Sequence, residues 1–243
     1  MNYFIYNGIS SADMGVKISG KNIFSAPKYD LSFQAIPGRD GELINSNNRF
    51  PNATVSYTCF IPAKNIQELS EKVTAVKAWL YTEPDRYHTL MDSYDTVFFR
   101  KAVFNNKLDI ADQVNKIGIF TVNFSCHPYR YSHVGQLLTK HSTSGFVLSN
   151  PYPFNAKPYL KLNGSGTGKL TIQTPTKTDV WTFTTLNGYT ECDSELMNFY
   201  HGADPKNGTV SGEGFPLLYP GNNTISFDGG ITSIEVVPRW VMV

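Results

Sequence analysis

The amino-acid sequence predicts a mainly β protein, and three features carry that prediction. Aromatic residues make up 14% of the 243 residues and charged residues only 17%, a mix that favours strands and turns. Apolar residues alternate with polar ones along several segments of the first half, and glycine-containing turn sequences recur closely in the second half. A single segment has the apolar spacing of a helix. The length fits one large domain or two ordinary ones.

Strand alternation is clearest in three segments of the first half. Every second residue is apolar or aromatic in 29–35, 55–61 and 120–126. Because successive side chains of a strand point to opposite faces, each set lies on one face of a sheet. Two more strands are predicted at 89–92 and 97–103. The polar segment 105–116 is predicted to be a loop or a protruding hairpin.

One amphipathic helix is predicted at 65–81. Its apolar residues fall at helical spacing, at Ile66, Leu69, Val73, Val76 and Leu80. Asn65 is placed to cap the first turn, and Glu68 to reach back as in a capping box. Pro84 then ends the helix. We expect the helix to lie on the sheet that the flanking strands build.

The second half is predicted to be a β-sandwich or jelly roll, because closely spaced strands without helices are typical of these folds. The predicted strands are 159–162, 169–173, 180–185, 190–193, 198–200, 224–227 and 231–238. The glycine-containing segments 163–166, 187–188 and 228–230 are predicted to be turns between them. A crossover at 134–155, rich in Ser, Gly and Pro, divides the chain into domains 1–133 and 134–243.

The chain has three cysteines, Cys59, Cys126 and Cys192, and none lies in a CxxC pair. An odd number of scattered cysteines favours buried, reduced thiols made in a cytosol. Cys59 and Cys126 both fall within alternating strands, so a disulfide between them stays an open alternative.

The charge pattern argues against a nucleic-acid-binding surface. The formal net charge is +1 and no Lys/Arg cluster exceeds a pair, whereas tight binding to phosphates needs a basic patch. The N-terminus has no basic segment followed by an apolar one, and no apolar run reaches membrane length. Neither a signal peptide nor contact with a membrane is therefore expected.

No catalytic, cofactor-binding or metal-binding pattern is found in the sequence. Residues 164–169 look like a phosphate loop, but Asn163 replaces the first glycine, Leu170 replaces the magnesium-binding hydroxyl residue, and a strand follows. The five histidines lack HxH or HxxxH spacing. Asp193 and Glu195 share a predicted strand face like a glycosidase pair, although two acids on a solvent-facing strand edge are commoner. The chain is therefore predicted not to be an enzyme.

Trp181 and Tyr189 are candidates for stacking against a sugar, since an aromatic-rich jelly roll offers such surfaces. The alternative is that both side chains fill the core or lie at an interface. A host cell-wall carbohydrate-binding module is accordingly the second function that we consider.

A larger pattern comes from four motifs that occur in order along nearly the whole chain. The first is 4–16, an aromatic-Asn-Gly-aliphatic strand followed by Ser-x-Asp-x-Gly-Val. The second is the Pro-Gly-Arg-Asp-Gly turn at 36–41, and the third is the helix with Trp79-Leu80. The fourth is 214–225, closed by Pro-Arg-Trp at 238–240. Together these motifs resemble the distal tail (Dit) proteins of siphophages.

The resemblance implies a structural component of a virion tail tip. In this family the N-terminal domain, a β-sheet fold with one helix and an extended hairpin, assembles six copies into a ring. The hairpin reaches the neighbouring subunit, and a galectin-like jelly roll faces outward. The implied partners are further copies of the chain, the major tail tube protein, the tail-associated hub protein and receptor-binding proteins. Genomic DNA meets the ring only in transit through its lumen.

The candidate site is the turn formed by Gly38, Arg39, Asp40 and Gly41. The two glycines are expected to supply the backbone angles of a tight turn. Arg39 and Asp40 would pair either within the subunit or across the ring, and an interface or lumen role competes with a purely local turn. An intact phage, a prophage remnant and a phage-tail-like bacteriocin all fit this pattern, each made in the bacterial host cytoplasm.

Overall fold

The computed structural model describes residues 2–243 and is mainly β, so the fold class predicted from the sequence is confirmed. Its internal contacts form two compact units. Unit 1 extends to Arg130 and also includes Val243, whereas unit 2 is Tyr131–Met242. Each unit has its own hydrophobic core.

Unit 1 is built on a single large sheet with one helix. Its strands are β1 (Phe4–Tyr6), β2 (Ile9–Ser10), β3 (Lys17–Asn22), β4 (Leu31–Ala35), β5 (Glu42–Ser46), β6 (Ala53–Pro62), β7 (His88–Asp92), β8 (Asp95–Val103), β9 (Ala111–Gln113) and β10 (Ile117–Ser132). The strand order is β2-β1-β7-β8-β10-β6-β3, and β9 pairs with the start of β10. The strands β4 and β5 form a separate two-stranded hairpin between β3 and β6.

The core of unit 1 confirms the alternation predicted for β6 and β10. The two strands pair antiparallel along their length, with Ala53 opposite Cys126 and Pro62 opposite Ile117. The apolar set of β6 is fully buried: Val55, Tyr57, Cys59 and Ile61. The helix α1 (Ile66–Leu80) contributes buried Leu69, Val76, Trp79 and Leu80 to the same core. The helix therefore lies on the sheet, as its apolar spacing predicts.

The start of α1 differs from the predicted capping box in one contact. The Asn65 side chain accepts from the Glu68 N–H at 2.9 Å, as predicted, but the Glu68 carboxylate accepts from the Lys64 N–H at 2.8 Å and not from that of Asn65. The same carboxylate pairs with Lys72 at 2.8 Å, so it is shared between two groups. Among residues 2–243, no helix has both the length and the apolar character needed to cross a membrane.

Residues 105–116 end in a short hairpin formed by β9 and the start of β10. Its turn residues Val114 and Asn115 have φ of 54° and 58°, and Val114 is 86% exposed. A positive φ is strained for a β-branched residue, whereas asparagine tolerates it. Val114 therefore has an unfavourable backbone conformation at the outermost position of this turn.

Unit 2 is a sheet of long, curled strands. Its elements are the 3-10 turns Val134–Gln136 and Asn207–Thr209 and the strands β11 (Thr139–His141), β12 (Phe146–Asn150), β13 (Tyr159–Gln173), β14 (Thr178–Asp193), β15 (Asn198–His201), β16 (Asp204–Pro205), β17 (Val210–Ser211), β18 (Gly221–Val237) and β19 (Val241–Met242). The order is β11-β18-β13-β14-β15-β16, with β12 beside β18 and β17 beside β14.

The turn prediction was wrong for three glycine-containing segments of unit 2. Residues 163–166, 187–188 and 228–230 lie inside β13, β14 and β18, each of which runs on as a single strand. β13 pairs with β14 on one side and with β18 on the other, and its register shifts near Gly164 and Gly168. Because a register shift bends and twists a strand, the three strands bend together where hairpins were expected.

Close approach of neighbouring backbones explains the glycines at this bend. A side chain on Gly164 would clash with the carbonyl of Gly230, and one on Gly230 would clash with the carbonyl of Ser165. Gly229 has φ of 66°, and a Cβ there would lie 2.7 Å from the Thr167 carbonyl oxygen. Glycine clusters occur both in turns and in β-bulges. Because the three strands stay paired on either side of this segment, these glycines lie in β-bulges.

The three cysteines are free and buried, as predicted. Burial raises the pKa of each thiol to about 12. Cys126 lies opposite Ala53, which is separated from Cys59 along β6 by about 20 Å at the rise of a strand. A disulfide needs Cα atoms within about 7 Å, so the alternative of a bond between Cys59 and Cys126 is excluded.

Candidate assembly site

The turn predicted as the candidate site forms the tip of the β4–β5 hairpin. Ala35 lies opposite Glu42, so residues 36–41 are the loop that joins the two strands. Gly38 and Gly41 have φ of 77° and 78°. The prediction that these glycines supply the backbone angles of the turn is confirmed, since other residues rarely adopt such values.

Arg39 and Asp40 are exposed and have no partner in the described protomer. Within residues 2–243, neither side chain forms an ion pair or a hydrogen bond. The Arg39 N–H donates to the Ile36 carbonyl at 3.1 Å, which closes the turn through the backbone alone. The pairing within the subunit that the sequence left open is not formed. Both charges are available to another molecule.

The apolar side chains of the hairpin are also exposed, contrary to the expectation that the 29–35 alternation packs on a sheet. Phe33 lies opposite Ile44, and these side chains are 54% and 59% exposed. Leu43, on the other face of the hairpin, is 39% exposed. The physical reason is topological: β4 pairs with β5 alone, outside the large sheet, so no other described strand or helix covers its apolar face.

A cluster of polar contacts fixes the base of the hairpin. Arg49 Nε donates to the Asp30 carboxylate at 2.7 Å, and the Asn47 side-chain amide donates to it at 3.0 Å. The hydrogen bond from Arg49, followed by that from Asn47, holds the pKa of Asp30 below its usual range. The sequence alone does not indicate this cluster, because only the register of the hairpin brings residues so far apart in sequence together. The hairpin therefore projects from a defined base.

Asp193 and Glu195 belong to a structural ion-pair cluster, which corrects their placement on a shared strand edge. Asp193 is the last residue of β14 and is buried, whereas Glu195 lies in the following turn. Arg239 Nη1 and Nη2 donate to Asp193 at 2.7 and 2.8 Å. Burial acts to raise the pKa of Asp193, but the hydrogen bonds from Arg239 and from the Leu196 N–H outweigh it, and this pKa is lowered. Glu195 accepts from the Tyr131 hydroxyl at 3.0 Å. Both carboxylates are therefore engaged in contacts that stabilise this turn.

Trp181 is a core residue, so its candidacy for sugar stacking is wrong. Its side chain is 1% exposed and belongs to the hydrophobic cluster of unit 2. The indole N–H donates to the Gly214 carbonyl at 3.0 Å, and a side chain at Gly212 would clash with the ring. A ring enclosed in this way offers no face to a ligand.

Tyr189 is half-buried, and its ring has a neighbour on each side. The His201 ring stacks on it with centroids 4.1 Å apart and an interplanar angle of 23°. Lys161 Nζ lies 4.4 Å from the centroid of the Tyr189 ring. β15, which carries His201, and β13, which carries Lys161, flank β14 on opposite sides. A sugar therefore has no open face of this ring on which to stack.

Comparison with known proteins gives matches in structure but not in sequence. No protein-family model matches the chain. No curated protein matches it in sequence either.

Solved structures of phage tail proteins share the fold. The crystal structure of SPP1 Dit, presented as a paradigm of the hub adsorption apparatus in phages that infect Gram-positive bacteria, matches with a TM-score of 0.74 at 14% identity over 97% of both chains. Two structures of the phage p2 baseplate in its activated conformation, with Sr and with Ca, match with TM-scores of 0.50 at 8% and 7% identity, over 98% of this chain and 97% of theirs. The resemblance seen in the motifs is thus confirmed in three dimensions: the protein has the fold of a phage distal tail (Dit) protein.

Proposed function

We propose that the protein is a structural subunit of a phage tail tip or baseplate and that six copies close into a ring. The fold shared with SPP1 Dit over nearly the whole chain supports this role. Residues 1–133 form the ring, and residues 134–243 form a galectin-like domain that faces outward.

The observation that carries the proposal is the uncovered apolar face of the β4–β5 hairpin. Phe33 and Ile44 form a cross-strand pair that is more than half exposed. An isolated two-stranded hairpin is marginal in water, and exposed apolar patches mark interaction sites. Burial of this pair against a second molecule gains about 25 cal/mol per Å² of apolar surface. A neighbouring copy of the chain supplies the missing cover.

The geometry of such a contact accounts for a ring. The hairpin of one copy meets a different surface of the next copy, which makes the interface head-to-tail. An interface of this kind closes when its rotation divides the circle. The tip residues Gly38, Arg39, Asp40 and Gly41 then lie at the interface or in the lumen, where Arg39 and Asp40 meet the partners that they lack in the protomer.

The ring has further partners in this proposal. It stacks between the major tail tube protein and the tail-associated hub protein, and receptor-binding proteins dock on the outer domain. Genomic DNA passes through the lumen, and a formal net charge of +1 suits a channel that must not hold it. The protein resides at the virion tail tip after synthesis in the host cytoplasm.

Native mass spectrometry of the full chain, alone and mixed with its tail-hub partner, tests the assembly. We expect a hexamer of six times the 27.2 kDa chain. We expect Phe33→Ser combined with Ile44→Ser to give monomers at the same concentration, since the change removes the apolar pair. A wild-type chain that stays monomeric under both conditions contradicts the proposal.

The matched control is Ile66→Ser combined with Val97→Ser, which removes two apolar side chains from elsewhere in unit 1. These residues are 52% and 55% exposed, close to the values for Phe33 and Ile44. The control should assemble as the wild type does. If the control also lost the hexamer, the loss would result from replacing exposed apolar residues in general and not from a change in the hairpin.

A further inference from the structure

Unit 2 contains a depression of about 300 Å³, lined mostly by polar residues, for which the ring has no use. It is lined by β14 and the hairpin of β15 and β16, including Thr185, Asn187, Tyr189, His201, Asp204 and Lys206. The volume lies at the lower end of the range for small-molecule sites, about 300–1,000 Å³. We infer that this depression binds one or two units of a neutral saccharide through hydrogen bonds to its hydroxyl groups.

A tight turn fixes one wall of the depression. His201 pairs with Asp204 across the β15–β16 hairpin, whose two loop residues begin with Gly202 at φ of 59°. The Lys206 N–H continues the wall by donating to the Phe199 carbonyl at 2.7 Å. Cross-strand partners have Cβ atoms about 5 Å apart, so the imidazole and the carboxylate are held side by side.

The hydrogen bonding of His201 determines what it can offer a ligand. Its Nδ1 lies 2.8 Å from the Tyr189 carbonyl oxygen. A carbonyl oxygen only accepts, so Nδ1 carries the proton. In the neutral ring Nε2 is therefore left with a lone pair, and it accepts from a ligand hydroxyl.

The other polar groups complete a mixed set of donors and acceptors. Within residues 2–243, no protein hydrogen bond engages the side-chain polar groups of Thr185, Asn187, Tyr189, Asp204 and Lys206. Asp204 only accepts, Lys206 only donates, and the amide and hydroxyl groups do both. A sugar hydroxyl also donates and accepts, so it can satisfy either kind of group. This complementarity points to a polyol.

The charge and surface of the depression argue against two other ligand classes. Lys206 is balanced by Asp204, so an anion would face a carboxylate as well as an ammonium group. A peptide partner needs apolar anchors, and none of the large exposed apolar residues lines the depression. Because both faces of Tyr189 are occupied, recognition depends on its hydroxyl and not on stacking. We expect a dissociation constant in the millimolar range for one site. The ring proposed above would present several such sites, and avidity would then strengthen binding.

Saturation-transfer NMR on the full chain tests the inference whether or not the chain forms a hexamer. The probes are D-glucose, D-galactose, N-acetylglucosamine and disaccharides of each, with inorganic phosphate as the anionic competitor. We expect saturable transfer to at least one sugar, undisturbed by phosphate. Asp204→Ala and Tyr189→Phe should each weaken it by about fivefold or more, the effect of one lost hydrogen bond.

The matched control is Asp228→Ala, which removes an exposed aspartate from β18, outside the depression. It should bind as the wild type does. The inference is overturned if no sugar in the panel gives saturable transfer, if phosphate displaces the sugar, or if Asp204→Ala and Tyr189→Phe both bind as tightly as Asp228→Ala. None of these outcomes depends on the ring, which is measured separately by mass.

Discussion

Strands β6 and β4 carry the same alternating pattern but lie in opposite environments. Val55, Tyr57, Cys59 and Ile61 on β6 are all 0% exposed, whereas Phe33 on β4 is 54% exposed. β6 lies between β10 and β3 in the large sheet and faces the core that includes α1, but β4 pairs with β5 alone. Alternation thus specifies a strand with an apolar face, and the topology decides whether the same chain covers that face. Matched substitutions in the two regions should separate folding from assembly.

The largest expected effect is loss of an aromatic ring from the covered region. The Phe124 ring lies 4.7 Å from that of Tyr6, 5.7 Å from Phe4 and 6.0 Å from Phe104. Phe124→Ala should lower the free energy of unfolding by about 3–5 kcal/mol in chemical denaturation. Phe33→Ala, the same change on the uncovered hairpin, should lower that of the dissociated monomer by no more than about 0.5 kcal/mol. Equal losses of unfolding free energy from Phe124→Ala and Phe33→Ala would contradict the difference between the covered and uncovered regions.

A smaller loss is expected from overfilling the space beneath α1. A Cβ on Gly118 of β10 would lie 3.0 Å from Ile110 and 3.2 Å from Leu69. Gly118→Val should therefore reduce the free energy of unfolding by about 1–3 kcal/mol. Ser32→Val, on an exposed position of β4, should leave the monomer within about 0.5 kcal/mol of the wild type. If Gly118→Val left the free energy of unfolding unchanged, α1 would not be tightly packed against β10 at this position.

The β9–β10 hairpin extends the comparison to a second exposed turn. Val114 adopts φ of 54°, which costs a residue other than glycine about 1–2 kcal/mol. Asparagine tolerates this conformation, so Val114→Asn should raise the free energy of unfolding by about 0.5–1 kcal/mol. Val97→Asn, in the regular strand β8, should have no stabilising effect. Destabilisation by Val114→Asn would mean that the valine makes a compensating contact.

The smallest effect concerns the base of the β4–β5 hairpin at low pH. Hydrogen bonds from Arg49 and Asn47 lower the pKa of Asp30. This contact therefore stabilises the hairpin above the unfolded pKa of about 3.9, and the stabilisation is lost as the pH falls through the lower folded value. Amide hydrogen exchange across residues 31–46, corrected for intrinsic rates, should be faster at pH 3 than at pH 6. Asp30→Asn should abolish this difference, and a wild type without it would contradict the role of Asp30.

Much of unit 1 was predictable because its elements follow one-dimensional periodicities. The helical spacing from Ile66 to Leu80 and the alternation in β6 and β10 depend on local geometry that the sequence encodes directly. The bend of unit 2 was not predictable in this way. Gly164 and Gly230 look like turn residues, and only the alignment of three distant strands shows that they relieve clashes.

The candidate site was predictable in part. The turn at 36–41 follows from its Pro-Gly-Arg-Asp-Gly sequence, and its place at the tip of a hairpin follows from the register of β4 and β5. The exposure of Phe33 and Ile44 did not follow, because alternation carries no information about what covers a face. His201 and Asp204 were missed as a pair, since the register of the β15–β16 hairpin places them opposite each other and only the pairing of β14 with β15 brings His201 to Tyr189.

The continuous strands of unit 2 have a mechanical consequence. β13 pairs with β14 on one side and with β18 on the other from Tyr159 to Gln173, apart from the register shifts between Asn163 and Gly168, and no turn interrupts it at the bend. A pull along these strands loads a long ladder of hydrogen bonds in shear, so many bonds must break at once. Separate short hairpins would instead peel open one bond at a time. A module of continuous strands should therefore resist extension along the strand direction more strongly than one built of short hairpins.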